Sequence, residues 1–146
     1  MITDTITTFT LASLLTITPG LFSSGQVLAS HEISLEKRYA VQSVSDIFRD
    51  NILLNLAYLD GSVKSKNDIN WDEVKKSQTI QFRLNPGETF AYHKDILPEY
   101  KDLLIKTTNA HFSSAEGFKA DGYLYGDGVC HLASLMYWVA RDAGLP

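Results

Sequence analysis

The chain has 146 residues, of which 45% are hydrophobic and 21% are charged, and its formal net charge is −4. This length suits one small domain, and the composition excludes a disordered or fibrous chain. The 13 lysines and arginines are scattered, which argues against a nucleic-acid-binding surface. Cys130 is the only cysteine, so it is either a buried thiol or a reactive one.

Residues 1–29 are predicted to be a targeting segment. No charged residue occurs from Thr5 to Ser30, and the apolar run Leu11–Leu15 is followed by Val27-Leu28-Ala29, a cleavage-site pattern. The run is shorter than the roughly 20 apolar residues of a membrane span. The segment therefore predicts an exported, extracytoplasmic protein with a signal peptide cut after Ala29. The alternatives are a membrane anchor and a disordered tail.

Residues 30–78 are predicted to form a helical N-terminal part. Ser43 and Asp46 have the spacing of a capping box, and Asp60-Gly61 is typical of a helix end, so a helix is predicted from Ser43 to about Leu59. Its apolar side chains recur at helical spacing and predict one buried face: Val44, Ile47, Phe48, Ile52, Tyr58 and Leu59. One or two further helical turns are predicted over residues 71–76.

Two asparagines, Asn51 and Asn55, lie one turn apart in the middle of this apolar face. Buried amides must find hydrogen-bond partners. The favoured interpretation is that they tie the helix to a neighbouring loop, and the alternative is that they line a polar site.

The segment from residue 79 to residue 127 is predicted to contain two strands, a helix and a loop. Residues 79–84 alternate apolar and polar side chains, a turn follows at Asn85–Glu88, and residues 89–92 form a second strand. A helix is predicted around Pro98–Lys106, with proline in its first turn. Residues 107–127 combine glycines and aromatics without periodicity, which predicts an ordered loop packed on the domain.

The last predicted element is a helix from Cys130 to about Ala143, with Gly144 as its cap. Its apolar residues predict a buried stripe: Val129, Leu132, Ala133, Met136, Ala140 and Ala143. The fold class predicted from these elements is α+β, a small mixed domain with short β-strands and a C-terminal helix that carries Cys130.

The turn Gly126-Asp127-Gly128 places Cys130 at the beginning of this helix. Free backbone N–H groups and the positive end of the helix dipole both stabilise a thiolate there, and a thiolate is a nucleophile. Glycines also allow the backbone to approach a substrate closely. Gly126, Asp127, Gly128 and His131 are therefore candidate substrate-binding residues. The alternative is that Cys130 is a small core residue.

A thiol nucleophile requires a general base. His93 and His111 are the candidates, because His131 points about 100° away from its neighbour Cys130 on a helix. No histidine or cysteine pair has the spacing of a zinc motif, so neither a metal nor another cofactor is predicted.

Four blocks follow one another in the second half of the chain: PGETF at 86–90, GFK at 117–119, GDGVCHLASLMY at 126–137 and AGL at 143–145. In this order they resemble the P-G-E-T-F motif, the Gly-aromatic-Lys segment, the G-G-G-V-C-Q-x-S-x-x-x-Y signature and the A-G-L of the VanW-like domain of bacterial cell-envelope proteins. The resemblance spans Phe82–Pro146, and residues 79–146 are interpreted as this domain.

The sequence also departs from the family pattern. Asp127 and His131 stand where the signature has glycine and glutamine, and His93 stands where the family often has asparagine. Family members continue past A-G-L into a segment with a histidine, so the domain is expected to be incomplete at its C-terminus.

The resemblance implies a cell-envelope protein whose Cys130 performs acyl transfer on peptidoglycan peptides, in the manner of an L,D-transpeptidase, with possible membrane association through residues 1–29. One alternative is a transglutaminase-like cysteine enzyme, because Gly128-Val129-Cys130 and Arg141–Pro146 resemble its G-V-C and R-x-x-G-x-P motifs. Another is a non-catalytic envelope binding or scaffold module in which Cys130 is inert.

Overall fold

The computed structural model describes residues 28–76, 84–85, 87–92, 98, 101–102, 104–108 and 110–145. These residues form a mixed α+β domain, as predicted. Its elements are helices α1 (Gln42–Asp60), α2 (Trp71–Val74) and α3 (Val129–Asp142), strands β1 (Glu88–Phe90) and β2 (Leu104–Lys106), and the 3-10 turns Lys66–Asp68 and Ser114–Glu116. None of the helices in these ranges is long and apolar enough to cross a membrane.

Helix α1 has the predicted bounds but not the predicted N-terminal cap. Val41 occupies the cap position without a side-chain hydrogen bond, and the Asp46 carboxylate instead accepts from the Gln42 side chain and pairs with Arg49. The capping-box prediction is therefore wrong: the helix begins at Gln42, before Ser43, and the Asp46 carboxylate contacts the side chains of Gln42 and Arg49. At the other end, Gly61 adopts φ +79° and its N–H donates to Tyr58 O, so the predicted stop is confirmed.

The buried residues of α1 differ from the predicted face. Ile52 and Tyr58 are buried as predicted, whereas the rest of that face is only half-buried: Val44, Ile47, Phe48 and Leu59. Leu54, Ala57 and Tyr58 pack in one apolar cluster, and Ile52 and Leu56 in a second. The first cluster also contains Ala110, Phe118 and Val129, and the second also contains Leu35 and Leu132. A helix that is covered on two sides needs apolar residues around most of its circumference. Core residues thus come from both the predicted helical part and the second half of the chain.

The strands pair in a way that the sequence did not predict. β1 and β2 are parallel, with Glu88 opposite Leu104 and Phe90 opposite Lys106. The helix predicted around Pro98–Lys106 is therefore wrong over β2, because pairing with β1 overrides the local preference. The turn before β1 is confirmed by the hydrogen bond from Glu88 N–H to Asn85 O. The strand predicted over residues 79–84 falls almost entirely outside the described residues.

Helix α3 packs against α1 and ends as predicted, since Gly144 adopts φ +75° and its N–H donates to Arg141 O. Its fully buried residues are Val129, Leu132, Leu135 and Val139. Part of the predicted stripe is only half-buried: Ala133, Met136, Ala140 and Ala143. The buried face is therefore rotated toward Leu135 and Val139 relative to the predicted stripe. Tyr137 and Trp138 remain exposed.

Residues 110–127 form the predicted ordered loop. Phe118 is buried and stacks on Tyr58 with ring centroids 5.9 Å apart, and Ala110 is fully buried. The loop also contains three large exposed side chains, Tyr123, Leu124 and Tyr125.

Candidate functional site

Cys130 is the second residue of α3 and is exposed to solvent. The residue before the helix, Gly128, adopts the left-handed conformation with φ +95°, and no side chain caps the helix. This position is incompatible with the interpretation of Cys130 as a buried core residue. It leaves Cys130 exposed to solvent at the N-terminal end of the helix, where backbone N–H groups lack helical acceptors.

The two glycines of the preceding turn are required by packing. A Cβ atom on Gly128 would lie 2.5 Å from the Phe48 Cα atom, and one on Gly126 would lie 2.6 Å from the Phe112 Cβ atom. Both glycines also have a positive φ, a backbone conformation that residues with a side chain rarely adopt. The close approach is therefore to α1 and to the aromatic loop. The prediction that Gly126 and Gly128 also contact a substrate stays a prediction.

Asn51 attaches this turn to α1. Its amide nitrogen donates to Lys119 O at 3.0 Å and to Asp127 O at 2.8 Å, and its amide oxygen accepts from Lys119 N–H at 2.8 Å. The structural interpretation of Asn51 is thus confirmed. Asn55 is also buried, but its amide has no hydrogen-bond partner among the described residues.

A second attachment holds the same loop. The Lys119 ammonium lies 2.5 Å from the buried Asp50 carboxylate and 4.1 Å from the centroid of the Trp71 ring, and Lys75 lies 3.2 Å from Asp50. Burial raises the pKa of Asp50, but hydrogen bonds and charge from Lys119 and Lys75 outweigh it and leave the pKa below its usual value. Lys119, in the GFK block, therefore fixes the loop that leads to Cys130.

The first turn of α3 leaves the amide of Cys130 available. Val129 N–H donates to Gly126 O and His131 N–H donates to Gly128 O. Within the described part of the chain, the structure shows no acceptor for Cys130 N–H. Of the two carbonyls that a helical turn would offer it, Gly126 O accepts from Val129 N–H and Asp127 O accepts from the Asn51 side chain. A free N–H beside a nucleophile is the donor that an oxyanion requires.

Tyr92 contacts helix α3 through Met136, a placement that sequence reasoning missed. Its hydroxyl donates to the Met136 sulfur of α3 at 3.3 Å. Burial, together with the negative charge of Cys130, raises the pKa of the Tyr92 hydroxyl. Nothing in the local sequence marks Tyr92, because its contact with α3 joins residues 44 apart in the chain.

Asp127 is half-buried, and its carboxylate accepts a hydrogen bond from Asp121 N–H at 3.3 Å. Burial and the neighbouring Asp121 carboxylate raise the pKa of Asp127, against the opposing effect of this backbone hydrogen bond. Asp127 therefore faces the aromatic loop, and its predicted contact with a substrate stays a prediction.

The structure assigns partners to two of the three candidate histidines. His131 Nδ1 accepts from Arg38 at 3.1 Å, and its ring packs edge-on against Phe48. The exposed His111 ring lies 3.3 Å from the Glu116 carboxylate, which also accepts from His111 N–H. His93 lies outside the described residues. The predicted general-base roles of His93 and His111 stay predictions.

The contacts of His131 predict that it does not activate the thiol. Burial and the Arg38 charge lower its pKa, and its Nδ1 atom is occupied by Arg38. His131→Gln should therefore change the rate of Cys130 alkylation by iodoacetamide at pH 7 by less than about threefold, since adjacent helix side chains diverge. A tenfold fall in this rate, with the helix content unchanged by circular dichroism, would mean that the imidazole reaches the sulfur in solution.

No family model, curated protein or solved structure matches the chain. Among the described residues, no three histidine, cysteine, aspartate or glutamate side chains are placed to hold a metal ion.

Proposed function

We propose that this protein is a cell-envelope enzyme that transfers acyl groups through a thioester on Cys130, with peptidoglycan peptides as substrates, as the resemblance to the VanW-like domain implies. The observation that carries the proposal is the exposed Cys130 at the start of α3, whose own N–H has no acceptor among the described residues. Nucleophile and oxyanion donor are the two groups that acyl transfer needs first.

The reaction runs in two steps. The Cys130 thiolate attacks the carbonyl carbon of a peptide bond, a C–S bond forms, and the C–N bond breaks as the leaving amine takes a proton. An acceptor amine then attacks the thioester, gives up a proton and releases the thiolate. His93 and His111 are the proposed carriers of these protons.

A non-catalytic binding module is the second candidate. It is favoured by Tyr123, Leu124 and Tyr125, since contiguous exposed apolar side chains mark interaction surfaces. In that case binding to peptidoglycan would survive replacement of Cys130, whereas acyl transfer would not.

Alkylation kinetics test the reactivity on which the proposal depends. We expect the folded chain to react with iodoacetamide at pH 7 at least about threefold faster than the same chain in denaturant, because only the folded chain holds Cys130 beside the backbone N–H groups at the start of α3. The rate should be measured from about pH 5 to about pH 9 in both states. A folded rate below the denatured rate at every pH would favour the binding module.

A further inference from the structure

The N-terminal segment is attached to α3 near both ends of the helix. His31 pairs with the Asp142 carboxylate of the last turn at 2.7 Å. Arg38 Nε donates to His131 Nδ1 of the first turn at 3.1 Å. Between these two contacts, Leu35 is buried in the core. We call residues 31–38 the strap, and both of these attachments of the strap to α3 use a histidine.

The two histidines respond to a proton in opposite ways. A guanidinium has only N–H donors and keeps its charge, so the Arg38 contact requires that His131 Nδ1 carries no proton. A protonated His131 would place two cations side by side. His31 faces a carboxylate, which binds a charged imidazole more strongly than a neutral one. Proton uptake therefore breaks one attachment of the strap and strengthens the other.

Arg38 also connects the strap to itself and to α1. Its guanidinium donates to Ser34 O, and its backbone N–H donates to the hydroxyl of the buried Ser45 at 2.9 Å. The same hydroxyl donates to Glu36 O at 3.1 Å. Because these bonds share Arg38 and Ser45, displacement of Arg38 disturbs residues 34–38 together.

We propose that the strap is an acid-sensitive switch: protonation of His131 releases Arg38 and detaches residues 34–38 from the first turn of α3, while His31 holds the other end. The inference does not depend on the proposed function. It adds a conformational change that acid controls at the helix turn which carries Cys130.

The surroundings of His131 favour this response. The ring contacts Arg38 from the strap and the uncharged Phe48 ring from α1, with ring centroids 5.3 Å apart. The next residue of α1, Arg49, is paired with Asp46 at 3.1 Å. Burial and the Arg38 charge lower the pKa of His131 from its usual value of 6.5. The attachment is therefore strongest above about pH 6.5, and its stabilisation is lost as the pH falls from there through the lower pKa.

Hydrogen exchange followed by NMR in the full chain tests this switch at the Arg38 amide, which donates to Ser45. We expect its protection factor to fall about tenfold from about pH 7 to about pH 5, because a released imidazole with a pKa of about 6.5 takes up a proton. The fall should have the same midpoint as the titration of the His131 ring. Leu54, which is fully buried in the middle of α1, should keep its protection.

Two glutamine variants are the controls. His131→Gln keeps an acceptor oxygen that does not titrate, so the protection factor of Arg38 should change by less than about twofold over this range. His31→Gln removes the other histidine of the strap and should keep the tenfold fall. Constant protection in the wild type, an equal fall in His131→Gln, or a midpoint that follows the His31 ring would overturn the inference. An equal loss of protection at Leu54 would also overturn it, because the whole domain would then be opening.

Discussion

Replacing Asn51 with leucine should lower the free energy of unfolding by about 3–5 kcal/mol, because it removes three hydrogen bonds and leaves buried backbone groups unpaired. Those bonds join α1 to Lys119 and Asp127. Leucine has a similar volume, so the loss reflects hydrogen bonding and not a cavity. Urea unfolding monitored by circular dichroism measures this loss.

Asn55 provides the matched control on the same face of the helix. Its amide is equally buried but has no partner among the described residues, so Asn55→Leu should cost less than about 1 kcal/mol or be stabilising. If both variants lose the same free energy of unfolding, any apolar side chain on this face is destabilising. The hydrogen bonds of Asn51 to Lys119 and Asp127 would then not explain the loss.

Cys130→Ser should lower acyl transfer from p-nitrophenyl acetate by at least about 10³-fold, because a serine hydroxyl is not ionised at neutral pH and is a much weaker nucleophile than a thiolate. The fold should be retained, since Cys130 is exposed and makes no core contact that serine would lose. Release of p-nitrophenolate from the wild type and the variant measures the effect.

Ser134→Ala is the control for this substitution. Ser134 is an exposed residue one turn further along α3, so its loss should leave the rate within about twofold, as is usual for surface sites. A Cys130→Ser variant that keeps the wild-type rate would show that the acyl group is transferred elsewhere on the chain.

The helices could be predicted from the sequence, whereas the sheet could not. Apolar spacing and the residues Asp60-Gly61 and Gly144 set α1 and α3 through local interactions, which act within a few residues. β2 depends on pairing with β1 across the chain, and its residues Leu104–Lys106 were predicted as helix. Local preference does not encode such a pairing.

The same distinction holds for the site. The position of Cys130 follows from the glycine turn and the helix that it begins, so the sequence predicts it. Tyr92 contacts Met136, which is 44 residues away in the chain, and His131 is held by Arg38, which is 93 residues away. These contacts are tertiary, and no local pattern of residues predicts them.

The central claim is that Cys130 carries the acyl group, and peptide-mapping mass spectrometry tests it most directly. The folded chain is incubated with p-nitrophenyl acetate, quenched in acid to preserve thioesters, and digested. We expect an acetyl group on Cys130 that hydroxylamine removes. Acetylation confined to lysines, with Cys130 unmodified although iodoacetamide alkylates it, would contradict the account.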